Sequence, residues 1–211
     1  MLLAIDTSAG QCAVALDTGA SVVSRREDMT KGHAERLFPM IDAVLDEARA
    51  APGAIARIAV CTGPGSFTGL RLGIAAARGL ALGLGCEVVG VSRLEALAAE
   101  ARHKAHGHPV AVALALRTDV AVVQCFATDG APLGPPERVS TAALESVMPP
   151  LALRIGDVAE LRSILPASLP DPAVIATLGA ARTPGEPPAP LYLRDADAAL
   201  PREAPPAILD A

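Results

Sequence analysis

The sequence predicts an α/β protein built from two similar units. Three observations carry this. Short apolar runs alternate with segments of helical period, a pair of runs joined by a polar turn opens the chain, and a second such pair starts near residue 107. In order, "LLAID" is an apolar run, "TSAGQ" a turn and "CAVAL" a second run, together a β-hairpin. "SVVSRRED" continues as a third strand. Across 33–50, "HAERLFPMIDAVLDEARA" sets Leu37, Ile41, Val44 and Ala48 on one helical face, and Pro39 lies in the first turn or kinks the helix. "IARIAVC" is a strand, 67–84 a helix and "EVVGV" another strand. "SRLEALAAEARH" opens with Ser92 and Glu95 at capping-box spacing and is a helix.

The second unit repeats the beginning. "PVAVALAL", a turn "RTD" and "VAVVQCFA" form a second hairpin. "STAALESVM" is a short helix, "LALRI" a strand, and "GDVAELRSIL" and "DPAVIATLGAAR" are helices. From 183 the chain is Pro-rich, with "PLYLR" as one ordered island. The strand–helix alternation gives the class. A hairpin leading into further strands and helices, then repeated, points to the duplicated actin-like ATPase (RNase H-like) architecture. Residues 1–106 are expected as the first lobe, 107–194 as a smaller second lobe and 195–211 as a flexible tail.

Composition narrows the function. With 51% hydrophobic and 19% charged residues over 211 positions, the chain can bury a sizeable core. It has no Trp, one Tyr and three Phe, so it offers no platform for stacking nucleic-acid bases. A net charge of -5 makes it a poor stand-alone binder of phosphate backbones. Cys12, Cys61, Cys86 and Cys125 sit in apolar runs without a C-x-x-C, as buried reduced thiols do. Asp6 comes too early for a signal-peptide apolar region, and charges interrupt each apolar run short of a membrane span, so a cytoplasmic protein without a membrane partner is expected.

The stretch "AVCTGPGSFTGLRLGIAAARGLALGLG", residues 59–85, resists the usual glycine-loop readings. Leu70 and Arg71 follow Gly69 where a Walker A loop needs Lys and Ser or Thr. The spacing G-x-G-x-x-x-G, with Glu87 at the start of the next strand, departs from the dinucleotide fingerprint. Ser66 lacks the flanking glycines of a nucleophile elbow. The helix itself carries two rows of small residues: Gly69, Gly73, Ala77 and Ala81, and beside them Ala75, Gly79 and Gly83. Each interior Gly costs about 1 kcal/mol relative to Ala, a cost a helix accepts where backbones approach closely. Either the helix packs tightly on its own sheet, or one row packs there and the other meets a partner helix.

"LLAIDTS", "HAERLFPMID", "TGPGSFTGLRLGIAAARGLA", "VVGVSRLEALA" and "PLYLR" resemble the TsaB (YeaZ) family, the dimerisation subunit of the bacterial machinery for threonylcarbamoyladenosine in tRNA. The likeness spans residues 1–100 and the island near the end, and "GPGSFTGLR" is its most specific part. It implies the actin-like fold with a reduced second lobe and a non-catalytic scaffold for threonylcarbamoyl transfer to the adenosine next to the anticodon. The implied partners are the catalytic TsaD subunit and the ATPase TsaE, with a homodimer when alone and tRNA met only through the complex. Helices 33–50 and 67–84 would form the pairing surface. On the first helix it implies His33, Arg36, Leu37 and Met40. On the second it implies Gly69, Leu70, Gly73, Ala76, Ala77 and Leu80. Gly73→Leu or Ala76→Glu is then expected to weaken pairing and leave the fold intact.

The chain departs from the family at the second hairpin. Ala115 stands where an acid is usual, and Val120 and Val122 where Glu and Tyr are, while Arg117 is kept. In an actin-like ATPase the acids of both hairpins hold Mg²⁺ and the attacking water, so only Asp6 remains and ATP turnover is not expected. Asp6, Thr7, Ser8, Gly63 and Gly65 are either a vestigial nucleotide contact or a tight turn. The alternative function is an active actin-like small-molecule kinase using Asp6 and the Gly63–Gly69 loop. His103, His106 and His108 form H-x-x-H-x-H, which is a zinc site or a basic helix end; the second is preferred and neither a metal nor a cofactor is expected. Arg71 and Arg78 are solvated surface or interface anchors.

Overall fold

The opening hairpin forms as the alternation predicts. β1 (Leu2–Asp6) pairs antiparallel with β2 (Gln11–Asp17), and β2 with β3 (Val22–Asp28). β1 also pairs in parallel with β4 (Arg57–Cys61), which pairs in parallel with β5 (Glu87–Val91). The first sheet therefore runs β3-β2-β1-β4-β5. The computed structural model describes residues 1–158, 165–166 and 169–192. The expected helix "GDVAELRSIL" falls mostly outside the described residues, as do Leu193, Arg194 and the expected tail.

The second sheet repeats that order. β6 (Val110–Arg117) and β7 (Val120–Phe126) form the second hairpin, and β8 (Glu137–Ser140) pairs with β7. β9 (Leu153–Gly156) lies parallel to β6, and β10 (Leu165–Pro166) parallel to β9. Read from the other edge the order is β8-β7-β6-β9-β10, strand for strand that of the first sheet. This is the duplicated actin-like fold. The second unit is reduced: α1 (His33–Ala48) joins β3 to β4 with 16 residues, while α4 (Leu144–Val147) joins β8 to β9 with 4.

Helices cover the first sheet on both faces. α1 and α2 (Phe67–Leu84) bury Leu37, Met40, Val44, Ile74 and Ala77 against Leu3, Ile5, Val14 and Val60. Strand side chains alternate between faces, so Leu2, Ala4, Ala15 and Ala59 point the other way. There they meet Ile175 and Ala176 of α5 (Pro172–Ala181) and Ala96 of α3 (Arg93–Ala101). α3 also covers one face of the second sheet, where Leu94, Leu97 and Ala101 meet Val112, Leu114 and Ile155. α5 follows the second unit in sequence yet packs on the first sheet.

Pro39 lies in the seventh position of α1, past the first turn, with its ring exposed. An interior Pro costs about 3 kcal/mol through the lost hydrogen bond and ring clash, and it recovers about 1 kcal/mol by restricting the unfolded chain. Pro39→Ala is expected to stabilise the chain by about 2 kcal/mol in urea denaturation. Ser92 caps α3 through Leu94 N, but Glu95 does not complete a capping box; it pairs with Arg182.

At the far end of α3, Glu100 accepts from the backbone N–H of Asp171, the cap of α5. Burial raises the Glu100 pKa above its ordinary value of 4.5, the Asp171 charge adds to the rise, and the bond from Asp171 N and the charge of Arg26 oppose it. A carboxyl whose pKa is higher folded than unfolded favours the folded state when protonated, and that contribution is lost as pH rises from its ordinary value through the folded one. Glu100→Gln is accordingly expected to melt higher than wild type at pH 7, with the gap closing towards pH 4.

Candidate functional site

The turn after β1 is built around Asp6. One carboxylate oxygen accepts from Ser8 N at 2.8 Å and the other from Gln11 Nε2 at 2.8 Å. Gln11 Nε2 also donates to the Pro170 carbonyl at 3.0 Å, which ties the turn to the start of α5. Asp6, Ser8 and Gln11 are fully buried and Thr7 is 2% exposed. Both Asp6 oxygens accept a hydrogen bond inside the protein, and of this turn only Ala9 and Gly10 reach solvent.

The glycine loop closes the turn from above. A Cβ on Gly65 would lie 1.8 Å from the Ser8 carbonyl oxygen, and one on Gly69 would lie 2.0 Å from that of Thr7. Ser66 N donates to Ser8 O, and Thr7 Oγ1 donates to Gly69 O at 2.7 Å. Ser66 Oγ caps α2 by accepting from Gly69 N. A helix N-terminus attracts negative charge through its free N–H groups. Here the Ser8 carbonyl oxygen accepts from Ser66 N and Ser66 Oγ from Gly69 N, so two of those N–H groups are used within the chain. Gly63, at φ +92°, accepts from Arg93 N at 2.7 Å and fastens the loop to the start of α3. The expected contacts Asp6, Thr7, Ser8, Gly63 and Gly65 thus come together as a closed backbone junction. They form a tight turn whose carboxylate and carbonyls bond within the chain. Burial, with the Asp6 charge adding, pushes the nearby Cys61 thiol well up, and burial takes Cys12 up to about 11, so neither is a reactive thiolate.

The two small-residue rows of α2 face opposite ways. Gly69, Gly73, Ala77 and Ala81 are buried against the sheet. Ala75, Gly79 and Gly83 are exposed, and a Cβ on either glycine would meet nothing within 4 Å. Leu82, on the same side, is 87% exposed. This takes six of the expected pairing residues off the open surface. Leu37, Met40, Gly69, Leu70, Gly73 and Ala77 are buried in the chain's own core. Ala76 and Leu80 pack against that core as well. A Cβ on Gly73 would lie 2.5 Å from Thr7 Oγ1, so Gly73→Leu attacks the fold rather than an interface. His33 is half-buried with Nε2 unpartnered, and Arg36 pairs with Glu27 of β3, whose carboxyl that bond holds below its ordinary range.

Arg71 and Arg78 are exposed, and both hold a strap formed by residues 182–192. Arg78 donates to the carbonyl of Pro188 at 2.7 Å, and Leu191 N donates to Thr62 O at 2.9 Å. The Arg71 guanidinium lies 3.8 Å above the Phe67 ring and its Nε donates to Tyr192 Oη at 2.8 Å. By length and composition alone α2 is long and apolar enough to cross a membrane, contrary to the count of interrupting charges. Its buried face and these two arginine contacts account for the composition.

One acid escaped the sequence reading. Asp157, just past β9, accepts from Ala115 N at 2.6 Å. It brings a carboxylate to the second hairpin from a strand 42 residues on. Its signal was the internal repeat, in which β9 answers to β4. Asp6, the acid of the first hairpin, is fully buried beneath the glycine loop. His103, His106 and His108 are all exposed, and among the described residues no three metal-ligating side chains converge.

Residues 24–130 match the family described as TsaD: tRNA N6-adenosine threonylcarbamoyltransferase. The chain is 40% identical over 103 residues to the tRNA threonylcarbamoyladenosine biosynthesis protein TsaB of Escherichia coli, covering 49% of this chain and 45% of that one. It is 38% identical over 103 residues to that of Bacillus subtilis, covering 48% and 45%. The chain therefore spans about half the length of these curated relatives. A crystal structure of a Pseudomonas aeruginosa protein, described as similar to the peptidase YeaZ, superposes with a TM-score of 0.77. It is 32% identical and the match covers 92% of this chain and 99% of that one. YeaZ from the same organism gives 0.75 at 32% identity, over 91% and 99%. With the likeness running across nearly the whole of those two structures, the chain belongs to the TsaB (YeaZ) family.

Proposed function

We propose that this chain is a non-catalytic cytoplasmic subunit in the synthesis of threonylcarbamoyladenosine in tRNA. It acts by docking on a catalytic subunit of the TsaD type. The observation that supports this best is the two-sided α2. One small-residue row closes the chain's own core, and the other is left open beside the exposed Leu82. Glycines in a helix cost stability, and those at 79 and 83 return nothing within the single chain. An approaching helix would use them. The closed turn around Asp6 supports the non-catalytic part, since phosphoryl transfer needs an acid that can reach metal and phosphate.

The revised docking face is the outer row of α2, Ala75, Gly79, Leu82 and Gly83, with the exposed Phe38 of α1. In the absence of the catalytic subunit the same face serves a homodimer, and the TsaE ATPase joins the assembled pair. Sedimentation of the chain, alone and mixed with the TsaD of the same organism, tests this. The expected result is a homodimer that exchanges for a heterodimer. Two species sedimenting independently at tens of micromolar would overturn the reading.

A further inference from the structure

Two basic residues and three histidines follow α3 in a cluster that docking on α2 does not use. Arg102, His103, Lys104, His106 and His108 are all exposed, in a 3-10 turn at Arg102–Lys104 and the loop after it. None of the five forms an ion pair among the described residues. Five other arginines are paired with carboxylates: Arg25 with Glu47, Arg36 with Glu27, Arg57 with Glu87, Arg154 with Glu145 and Arg182 with Glu95. Arg26, Arg49, Arg71 and Arg78 are exposed without an ion pair among the described residues, each away from any histidine or lysine on its own turn. A helix C-terminus favours cations only within its last turn. That accounts for the first members of the cluster and not for His106 and His108. The backbone is set here by His106 at φ +48° and Gly107 at φ +82°. Arg102 is fixed against the neighbouring loop, where a Cβ on Gly130 would lie 2.5 Å from Nη1. The carboxylate next along that loop, Asp129, caps Ala131 N.

We propose that this turn is a contact for the phosphate backbone of RNA. In a chain of net charge -5, Arg102 and Lys104 on one turn, with three imidazoles beside them able to donate to phosphate oxygens, make a local positive field. The proposal rests on the function given above, which supplies RNA as the substrate. Position agrees with it. α3 lies on the face of the first sheet opposite α1 and α2, so a subunit docked on α2 leaves this turn open. Two lysines occur in the whole chain, and Lys104 is one of them. Phosphate contacts of this kind orient a nucleic acid without reading its sequence.

The test is binding of a labelled tRNA transcript to the complex of this chain with its TsaD, from 50 to 200 mM salt. Lys104→Gln is expected to weaken binding about threefold, and Arg102→Gln with Lys104→Gln about tenfold. The double variant should also lower the slope of log affinity against log salt by about 2. Arg49→Gln removes one charge at the end of α1 and should change neither. Arg102 rests on Gly130, so the single Lys104 variant guards against a folding defect. An unaltered affinity and slope in the double variant would overturn the proposal, as would an equal loss from Arg49→Gln, which would mean net charge alone. Sedimentation of each mixture separately reads whether the complex forms; if it does not, the parent function falls and the RNA contact with it.

Discussion

Gly65→Ala and Gly69→Ala are each expected to destabilise the chain severely. The added methyl would sit 1.8 Å from the Ser8 carbonyl oxygen in the first case and 2.0 Å from that of Thr7 in the second. Both neighbours are backbone, so no rotamer change relieves the clash. The loop would have to lift away from the turn after β1. That breaks the bond from Ser66 N to Ser8 O and the bond from Thr7 Oγ1 to Gly69 O. It also exposes Asp6, which is fully buried. The cost is about 4 kcal/mol or more, at the extreme of single substitutions. That is a large share of the 5–15 kcal/mol, roughly, that holds an ordinary domain together. Circular dichroism against urea measures it directly. A Gly65→Ala protein of wild-type stability would show that the loop opens freely, and would return the loop to consideration as a ligand site.

The outer row of α2 should behave in the opposite way. Gly79→Ala with Gly83→Ala is expected to stabilise the isolated chain by about 1–2 kcal/mol, because each removes the penalty of an interior glycine. The melting temperature should rise by several degrees. Gly79→Leu with Gly83→Leu should also fold, since nothing lies within 4 Å of either Cβ position. Bulk there holds an approaching helix away, so pairing with the catalytic subunit is expected to fall at least tenfold, by about 1.4 kcal/mol or more. Sedimentation and thermal melting of the same samples separate the two effects. Leucine variants that pair as well as wild type would remove the row from the interface.

Much of the fold could be read from residues alone. Both hairpins announced themselves as apolar runs joined by a polar turn, and α1 by its apolar period. β8 was missed because Glu137–Ser140 is an edge strand with mostly exposed side chains, so no apolar run marks it. β10 is too short to signal anything. The site was harder. The two rows of α2 share a four-residue spacing, and glycine has no side chain to say which row turns inward. Leu70 and Ile74 stand directly beside Gly69 and Gly73 and were the clue, because large apolar neighbours mark the buried side. The contact of Asp157 with Ala115 crosses 42 residues and depends on the pairing of β9 with β6. The anchoring of Arg71 and Arg78 depends on where the strap returns.

The return of α5 to the first sheet has a consequence for synthesis. One face of that sheet, carrying Leu2, Ala4, Ala15, Ala59 and Val89, is covered by Ile175 and Ala176. On the ribosome, β5 is complete at residue 91 and α5 begins at residue 172. At about 5–20 residues per second the gap lasts on the order of ten seconds. Throughout it the nascent chain shows an apolar surface that α3 covers in part and α5 completes. This is the kind of surface that molecular chaperones recognise, so the chain's demand for them should peak mid-translation and end when α5 emerges.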